Sequence, residues 1–303
     1  MSPYPGDGPM HAAYQRTIFH DPEQQAFFTK FGYVITPYLD PAELAELNAM
    51  FEETVRKAHQ TYSTFSQLRY YISVFDSDSA KRKTLDGRVK GIFGDKVNRL
   101  LVDHRILLCN FMAKPPGAGE IEVHQDFSFV DEDCYVGFNL WVPLEDTDER
   151  NGCFYMLPGS HRALPSYRAA SVPDTLTKYN QTLKRYMIPT PIKAGHGIIF
   201  DHRLFHYSPD NASDRWRPAV QLVVIPSEAQ PVMMRYDKAD PDHLQVCSLD
   251  DTYLTEENLW QPTRSLPVVG TKPYIPLPSE DELIKLAASL RAAVDIPEAR
   301  RPA

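Results

Sequence analysis

No apolar run in this chain approaches the roughly 18 residues that a membrane-spanning helix requires, so no such span is expected. Cysteine is scarce. Cys109, Cys134, Cys153 and Cys247 stand far apart with no CxxC pair, which argues against a disulfide framework and predicts free buried thiols in a reducing compartment. Basic residues are in deficit, 32 Lys and Arg against 40 Asp and Glu, for a net charge of -8. That balance excludes a non-specific nucleic-acid or anionic-membrane binder. A small anionic ligand stays open, because one or two placed arginines suffice. The opening MSPYPGDGPMHAAY has no apolar core of a secretory signal, so a cytoplasmic protein, monomer or homodimer, is expected. Repeats and low-complexity tracts are absent as well.

What is present fits a globular protein: 303 residues, 43% apolar and 24% charged. Residues 1–20, rich in Pro and Gly at their start, read as a flexible arm. Residues 21–303 read as a single domain. PEQQAFFTKF (22–31) predicts a helix capped by Asp21 and stopped by Gly32, with YVIT a strand after it. A second helix is expected from Pro41 to about His59, with Leu44, Leu47, Phe51 and Val55 as its apolar stripe. Residues 79–101 suggest short helices. From 104 the pattern turns to short strands, near 105–113, 120–127, 134–143, 153–157, 185–192, 197–201 and 217–225, punctuated by Pro and Gly. A last helix over 279–293 begins with a Ser279–Glu282 capping box. The order predicts a mainly β fold with flanking α: a jelly-roll core over about 104–226, helices outside it, and an extension over 227–303.

The chemistry gathers around EIEVHQDFSF, residues 120–129. In a strand, residues two apart share a face, so His124 and Asp126 project side by side. Polar groups on a buried face are costly unless something binds them. His206, at the end of GIIFDHRLF, can face the same cavity. Two imidazoles and a carboxylate leave coordination positions open, the pattern of non-haem Fe(II) oxygenases. Arg217 follows His206 by 11 residues within an apolar strand. Its planar fork suits a carboxylate, as a dicarboxylate cosubstrate would supply.

With FGYVI after the first helix, HQD at 124–126, NLWVPLED and NGCFYMLPGSH before 162, and HYSPDNASDRWR from 206 to 217, the sequence resembles the phytanoyl-CoA dioxygenase family of Fe(II)/2-oxoglutarate-dependent oxygenases. The likeness spans about residues 22–226. It implies a double-stranded β-helix (cupin-like) core, with His124, Asp126 and His206 holding Fe(II). It implies Arg217 on the distal carboxylate of 2-oxoglutarate, helped by Ser208. Trp141 matches an aromatic position beside the cosubstrate, and Asn139 lies two residues earlier on the same face. The implied reaction uses O2 and a small-molecule substrate, often hydroxylated, with 2-oxoglutarate leaving as succinate and CO2. Two positions depart from the family pattern: His196, where Asp often follows the glycine, and Ala219, where a polar residue often stands.

Simpler readings accompany each residue. His124 and Asp126 alone would make a structural pair, His202 competes with His206, and Arg217 pairs with a core acid in the structural alternative. His161 reads as structural, and Lys114 as a strand end. A non-redox metal enzyme and a non-catalytic binding protein are the rival classes. Specificity is expected from residues 60–95, the loop near 128–133, the segment 163–184 and the stretch 227–278.

Overall fold

The computed structural model describes residues 12–56, 69–173, 175–257 and 264–294. Helix α1 (Pro22–Phe31) starts where Asp21 accepts from the backbone N–H groups of Glu23 and Gln24, and ends at Gly32, whose φ of 82° suits glycine. Strand β1 (Tyr33–Pro37) follows. Helix α2 (Pro41–Phe51) opens with a reciprocal Asp40–Glu43 capping box and runs into a π-helical turn, Glu52–Arg56. The expected end near His59 lies outside the described residues. After β2 (Tyr71–Ile72) comes α3 (Ser79–Leu100), one helix of 22 residues rather than several short ones. Its buried Leu85, Val89, Phe93 and Val97 recur every fourth residue. That continuous stripe on the sheet outweighs the low helix propensity of Gly87, Gly91 and Gly94.

The strands then run β3 (His104–Lys114), β4 (Ile121–His124), β5 (Phe138–Pro143), β6 (Phe154–Met156), β7 (Ile188–Thr190), β8 (His196–Asp201), β9 (His206–Ser208) and β10 (Arg217–Pro226). A one-turn helix, α4 (Asn180–Leu183), lies between β6 and β7. Two antiparallel sheets result. The larger has the order β1-β8-β5-β10-β3-β2, and the smaller β4-β9-β6-β7. Phe154 of the small sheet meets Phe200 and Trp141 of the large one, with ring centroids 5.0 and 6.1 Å apart. The fold is the expected jelly roll. Strand β10 shows why its sequence suits a two-faced sheet. Val220, Leu222 and Val224 pack with Phe51, Phe93 and Phe111 under the helices, while Arg217, Gln221 and Val223 line the cavity between the sheets.

The extension is more ordered than its Pro-rich sequence suggests. Strands β11 (Val232–Asp237), β12 (Asp240–Ser248) and β13 (Val268–Pro273) form a third antiparallel sheet, with α5 (Tyr253–Glu256) between the last two. Met234, Leu244 and Val246 join Phe129 and Val223 in one apolar cluster. Helix α6 (Glu280–Ala292) carries the expected Ser279–Glu282 box. Among the described residues no helix is long and apolar enough to cross a membrane.

The flexible-arm reading of residues 1–20 needs correction from residue 13 onward; residues 1–11 lie outside the described part. Ala13, Tyr14, Ile18 and Phe19 are buried. The Tyr14 hydroxyl donates to Asp201, and Arg203 donates to both. Apolar burial and a buried ion pair hold this segment where composition alone suggests a loose end.

His161 is buried edge-on to Tyr14, at 5.5 Å between ring centroids. Burial pulls its pKa to about 4; Asp201 opposes this, and Arg162 and Arg203 add to it. An unfolded imidazole titrates near 6.5. Between those values the unfolded chain binds a proton that the folded chain refuses. Stability present above about pH 6.5 is therefore lost as pH falls toward 4. His104, held at about 4 by burial and by Arg16, acts in the same window. Urea melts at pH 7.5 and 5.0 check this: His161→Leu should lose about 2 kcal/mol less on acidification than wild type. An equal loss in both proteins would refute the assignment.

Candidate metal centre and cosubstrate pocket

Strand β9, absent from the strands read in the sequence, makes the site. It pairs with β4 so that His206 lies opposite His124, with ring centroids 4.1 Å apart. Each Nδ1 faces a main-chain carbonyl two residues back, Glu122 O at 2.7 Å and Leu204 O at 2.9 Å. A carbonyl only accepts, so both Nδ1 atoms carry the proton and both Nε2 lone pairs are free to bind a metal. Asp126 lies just past the end of β4. Its Oδ1 is 3.7 Å from His124 Nε2 and its Oδ2 3.7 Å from His206 Nε2. These spacings are too long for hydrogen bonds and suit three groups converging on one ion. Ligand atoms of His124, Asp126 and His206 all lie within 4.8 Å of one another.

The surroundings hold that geometry. Asp126 N–H donates to His202 O at 2.8 Å, and Arg168 Nε donates to Asp126 O at 2.9 Å. Asn139 Nδ2 donates to Asp126 Oδ2 at 2.7 Å. Burial opposes ionisation of Asp126, but His206 and His124 outweigh it and hold the carboxyl well below the usual range. Burial, with the nearby His124, pulls the pKa of His206 to about 4. Burial works against protonation of His124, but the Asp126 carboxylate outweighs it and raises that pKa. Ionised carboxylate and neutral imidazoles are the forms that ligate, so a metal bound here displaces a proton from His124. His202, the competitor for the second histidine, lies outside the cluster. It is fully buried against Phe129 and beneath Gly137.

Arg217 stands first on β10, 3% exposed. Its guanidinium lies 5.1 Å from the centre of the Trp141 ring, and its Nε has no hydrogen-bond partner. Burial lowers its pKa to about 10, so it stays a cation at neutral pH. Lys114, read from the sequence as a strand end, does close β3 and is the neighbour of Arg217 across the ladder. Lys114 is 1% exposed and donates to the backbone carbonyls of Ser208 and Pro209. Burial and the Arg217 charge press its pKa well below that of a free lysine. Among the described residues neither base has an acid within ion-pair distance. Lys114 is satisfied by its two carbonyls; Arg217, a buried cation lacking an anion, makes a site for one. Only the β3–β10 register brings the two bases together, because Lys114 and Arg217 are distant in sequence.

Arg217, Ser208 and Trp141 share one cavity of about 750 Å³ with His124, Asp126 and His206, and Lys114 stands behind its lining. Asn139 also lines it, but its amide is engaged with the metal-ligand candidate Asp126 rather than left for the cosubstrate alone. The expected specificity segments contribute Arg69, Tyr70 and Phe75, Phe129, Val172 and Thr177, and Leu277. Residues 60–68 of the first segment lie outside the described part.

A jelly roll with two imidazoles, a carboxylate and a buried arginine facing one cavity defines the class of Fe(II)/2-oxoglutarate-dependent oxygenases. The donor set fits Fe(II), and the anion-free Arg217 fits the far carboxylate of 2-oxoglutarate. The family model described as phytanoyl-CoA dioxygenase (PhyH) matches residues 28–219, and the chain belongs to that family. Phytanoyl-CoA dioxygenase domain-containing protein 1 of Bos taurus is 35% identical over 114 residues, 35% of this chain and 39% of that protein. Phytanoyl-CoA dioxygenase of Arabidopsis thaliana is 34% identical over 123 residues, 39% of this chain and 43% of that protein. Each alignment thus spans less than half of the relative. Among solved structures, the non-heme alpha ketoglutarate dependent carbocyclase SnoK from nogalamycin biosynthesis aligns with a TM-score of 0.54 and 19% identity, over 87% of this chain and 100% of that one. EctD from S. alaskensis with 2-oxoglutarate and 5-hydroxyectoine gives 0.52 and 20%, over 80% and 92%. At such identities the likeness is one of fold.

Proposed function

We propose that this protein is a dioxygenase that oxidises an unactivated C–H bond of a small molecule, in the first instance by hydroxylation, coupled to conversion of 2-oxoglutarate to succinate and CO2. His124, Asp126 and His206 hold Fe(II). Arg217 and Ser208 receive the far carboxylate of 2-oxoglutarate, and Trp141 walls the cosubstrate. Bound iron supplies the O2 chemistry that side chains lack. The chain's own work is placement. Main-chain carbonyls of Glu122 and Leu204 aim the imidazoles, Asn139 and the His202 carbonyl fix Asp126, and Arg217 sets how far along the cavity the cosubstrate lies.

The observation that carries the reading is the three-ligand cluster facing the same cavity as a buried arginine without an anion. A non-redox metal enzyme, or a binding protein on this scaffold, leaves Arg217 unexplained. Anaerobic absorbance tests it. Apoprotein given Fe(II) and 2-oxoglutarate should develop a weak visible charge-transfer band, which His124→Ala and His206→Ala should both lose. Folded wild-type protein that binds both without the band would sink the proposal.

A further inference from the structure

We infer that the molecule oxidised here is uncharged and largely apolar, donates a hydrogen bond through a hydroxyl or N–H to Asn110, and is not an acyl-CoA thioester. This rests on the oxygenase reading above.

One stretch of the cavity wall is apolar. Val74, Phe75, Leu108, Phe129, Val172 and Val223 line it and belong to one continuous cluster. An apolar skeleton gains by leaving water for such a wall.

The charged lining is committed elsewhere. Arg168 is consumed by Glu132, at 2.6 and 2.7 Å, and by the carbonyls of Ser166 and Asp126. Glu120 is paired with Lys184, and Glu122 accepts from Asn180. Arg69 is the remaining cation on the described lining, exposed and 3.8 Å from Asp210. Phosphate groups of coenzyme A call for clustered, unpaired Arg or Lys. The described lining instead balances its cation with acids.

Apart from Asn139 Oδ1, whose residue grips Asp126 beside the metal ligands, two polar side-chain oxygens of lining residues have no partner. Asn110 Oδ1 and Ser166 Oγ are buried without a hydrogen-bond partner, in residues 3% and 9% exposed. Asn110 sits opposite Gln221 on β10. Arg217 is four residues away along that strand, roughly 13 Å at about 3.3 Å per residue. Asn139 and Trp141 lie on β5, which flanks the other side of β10. Two strand spacings, about 10 Å, therefore separate them from β3. Asn110 therefore stands across β10 from Trp141 and well along the sheet from Arg217. A buried acceptor left unmade is unfavourable, and a donor on the substrate satisfies it.

The test uses Asn110→Leu, with 2-tetralol, tetralin and lauroyl-CoA as probes of the Fe(II)·2-oxoglutarate protein. Without a probe, Asn110→Leu should raise Tm by about 2 °C, because it removes an unpaired buried acceptor. Its 2-oxoglutarate affinity, read from the absorbance band, should stay unchanged. Wild type should bind 2-tetralol at least about tenfold more tightly than tetralin, and the variant should bring that ratio near one. Lauroyl-CoA should leave band and succinate rate untouched. The inference is overturned if the variant loses both stability and 2-oxoglutarate affinity, or if lauroyl-CoA binds more tightly than 2-tetralol. A missing band in wild type would instead sink the oxygenase reading itself.

Discussion

Asp126→Ala protein should fold, yet form succinate from 2-oxoglutarate more than about 100-fold more slowly than wild type. Losing an outer partner of a metal ligand already costs about 10–100-fold, and this change removes a ligand. The fold should survive because the anchors at this position are main-chain groups: Asp126 N–H donates to His202, and Asp126 C=O accepts from Arg168. Alanine keeps both. His124 and His206 also keep the carbonyl contacts that aim them. What is lost is the carboxylate between their Nε2 atoms, together with the partner of the Asn139 amide. Measured side by side, circular dichroism should match wild type, iron stoichiometry should fall, and succinate should drop to the background of free iron. Wild-type succinate formation by the variant would disprove the ligand assignment.

That assignment was legible early because its signals are local. A histidine and a carboxylate two residues apart declare a shared face, and Asp21, Gly32, Ser279 and Glu282 mark helix ends by chemistry that acts over three or four residues. The spacing from His206 to Arg217 spans one loop and is equally readable. Features set by pairing between distant strands were not. His124 lies opposite His206 only because β4 and β9 pair, and β9 is three residues long. Lys114 becomes a neighbour of Arg217 through the β3–β10 ladder, where a bulge at Val223/Val224 further shifts the register. Asn139 reads from sequence as a cosubstrate neighbour and in the structure grips Asp126. Sheet β11–β13 stayed hidden for another reason. Its strands carry charged and proline residues on exposed faces, and its apolar contacts are made with β10 and the loop at Phe129. The long α3 was masked by glycines whose cost is repaid only by the stripe against the sheet.

Arg217→Met should separate binding from stability more sharply than any other change. Among the described residues this buried guanidinium has no acid within ion-pair distance, and its Nε has no partner. Replacing an uncompensated buried charge by an apolar side chain of similar length is neutral or stabilising, so Tm should hold or rise. The cosubstrate should suffer the reverse. Charge-assisted hydrogen bonds are worth about 1.5–3 kcal/mol each. Loss of a two-pronged contact to a carboxylate should therefore weaken 2-oxoglutarate by at least about 100-fold. Titrating the charge-transfer band anaerobically gives that affinity directly, and Fe(II) binding alone should be unaffected because Arg217 is not among the clustered ligands. Arg217→Lys should fall between the two, keeping charge but losing the planar fork. The structural alternative, in which Arg217 serves a core acid, predicts the opposite signs. Glu145 is the acid whose field reaches it most. If Glu145, half-buried and 3.9 Å from Arg215, also relied on Arg217, Arg217→Met would lower Tm and leave 2-oxoglutarate affinity unchanged. A protein that melts lower and binds 2-oxoglutarate as before would thus remove Arg217 from the cosubstrate site. One that melts no lower and needs about 100-fold more 2-oxoglutarate would fix the buried charge as the anchor of the cosubstrate carboxylate.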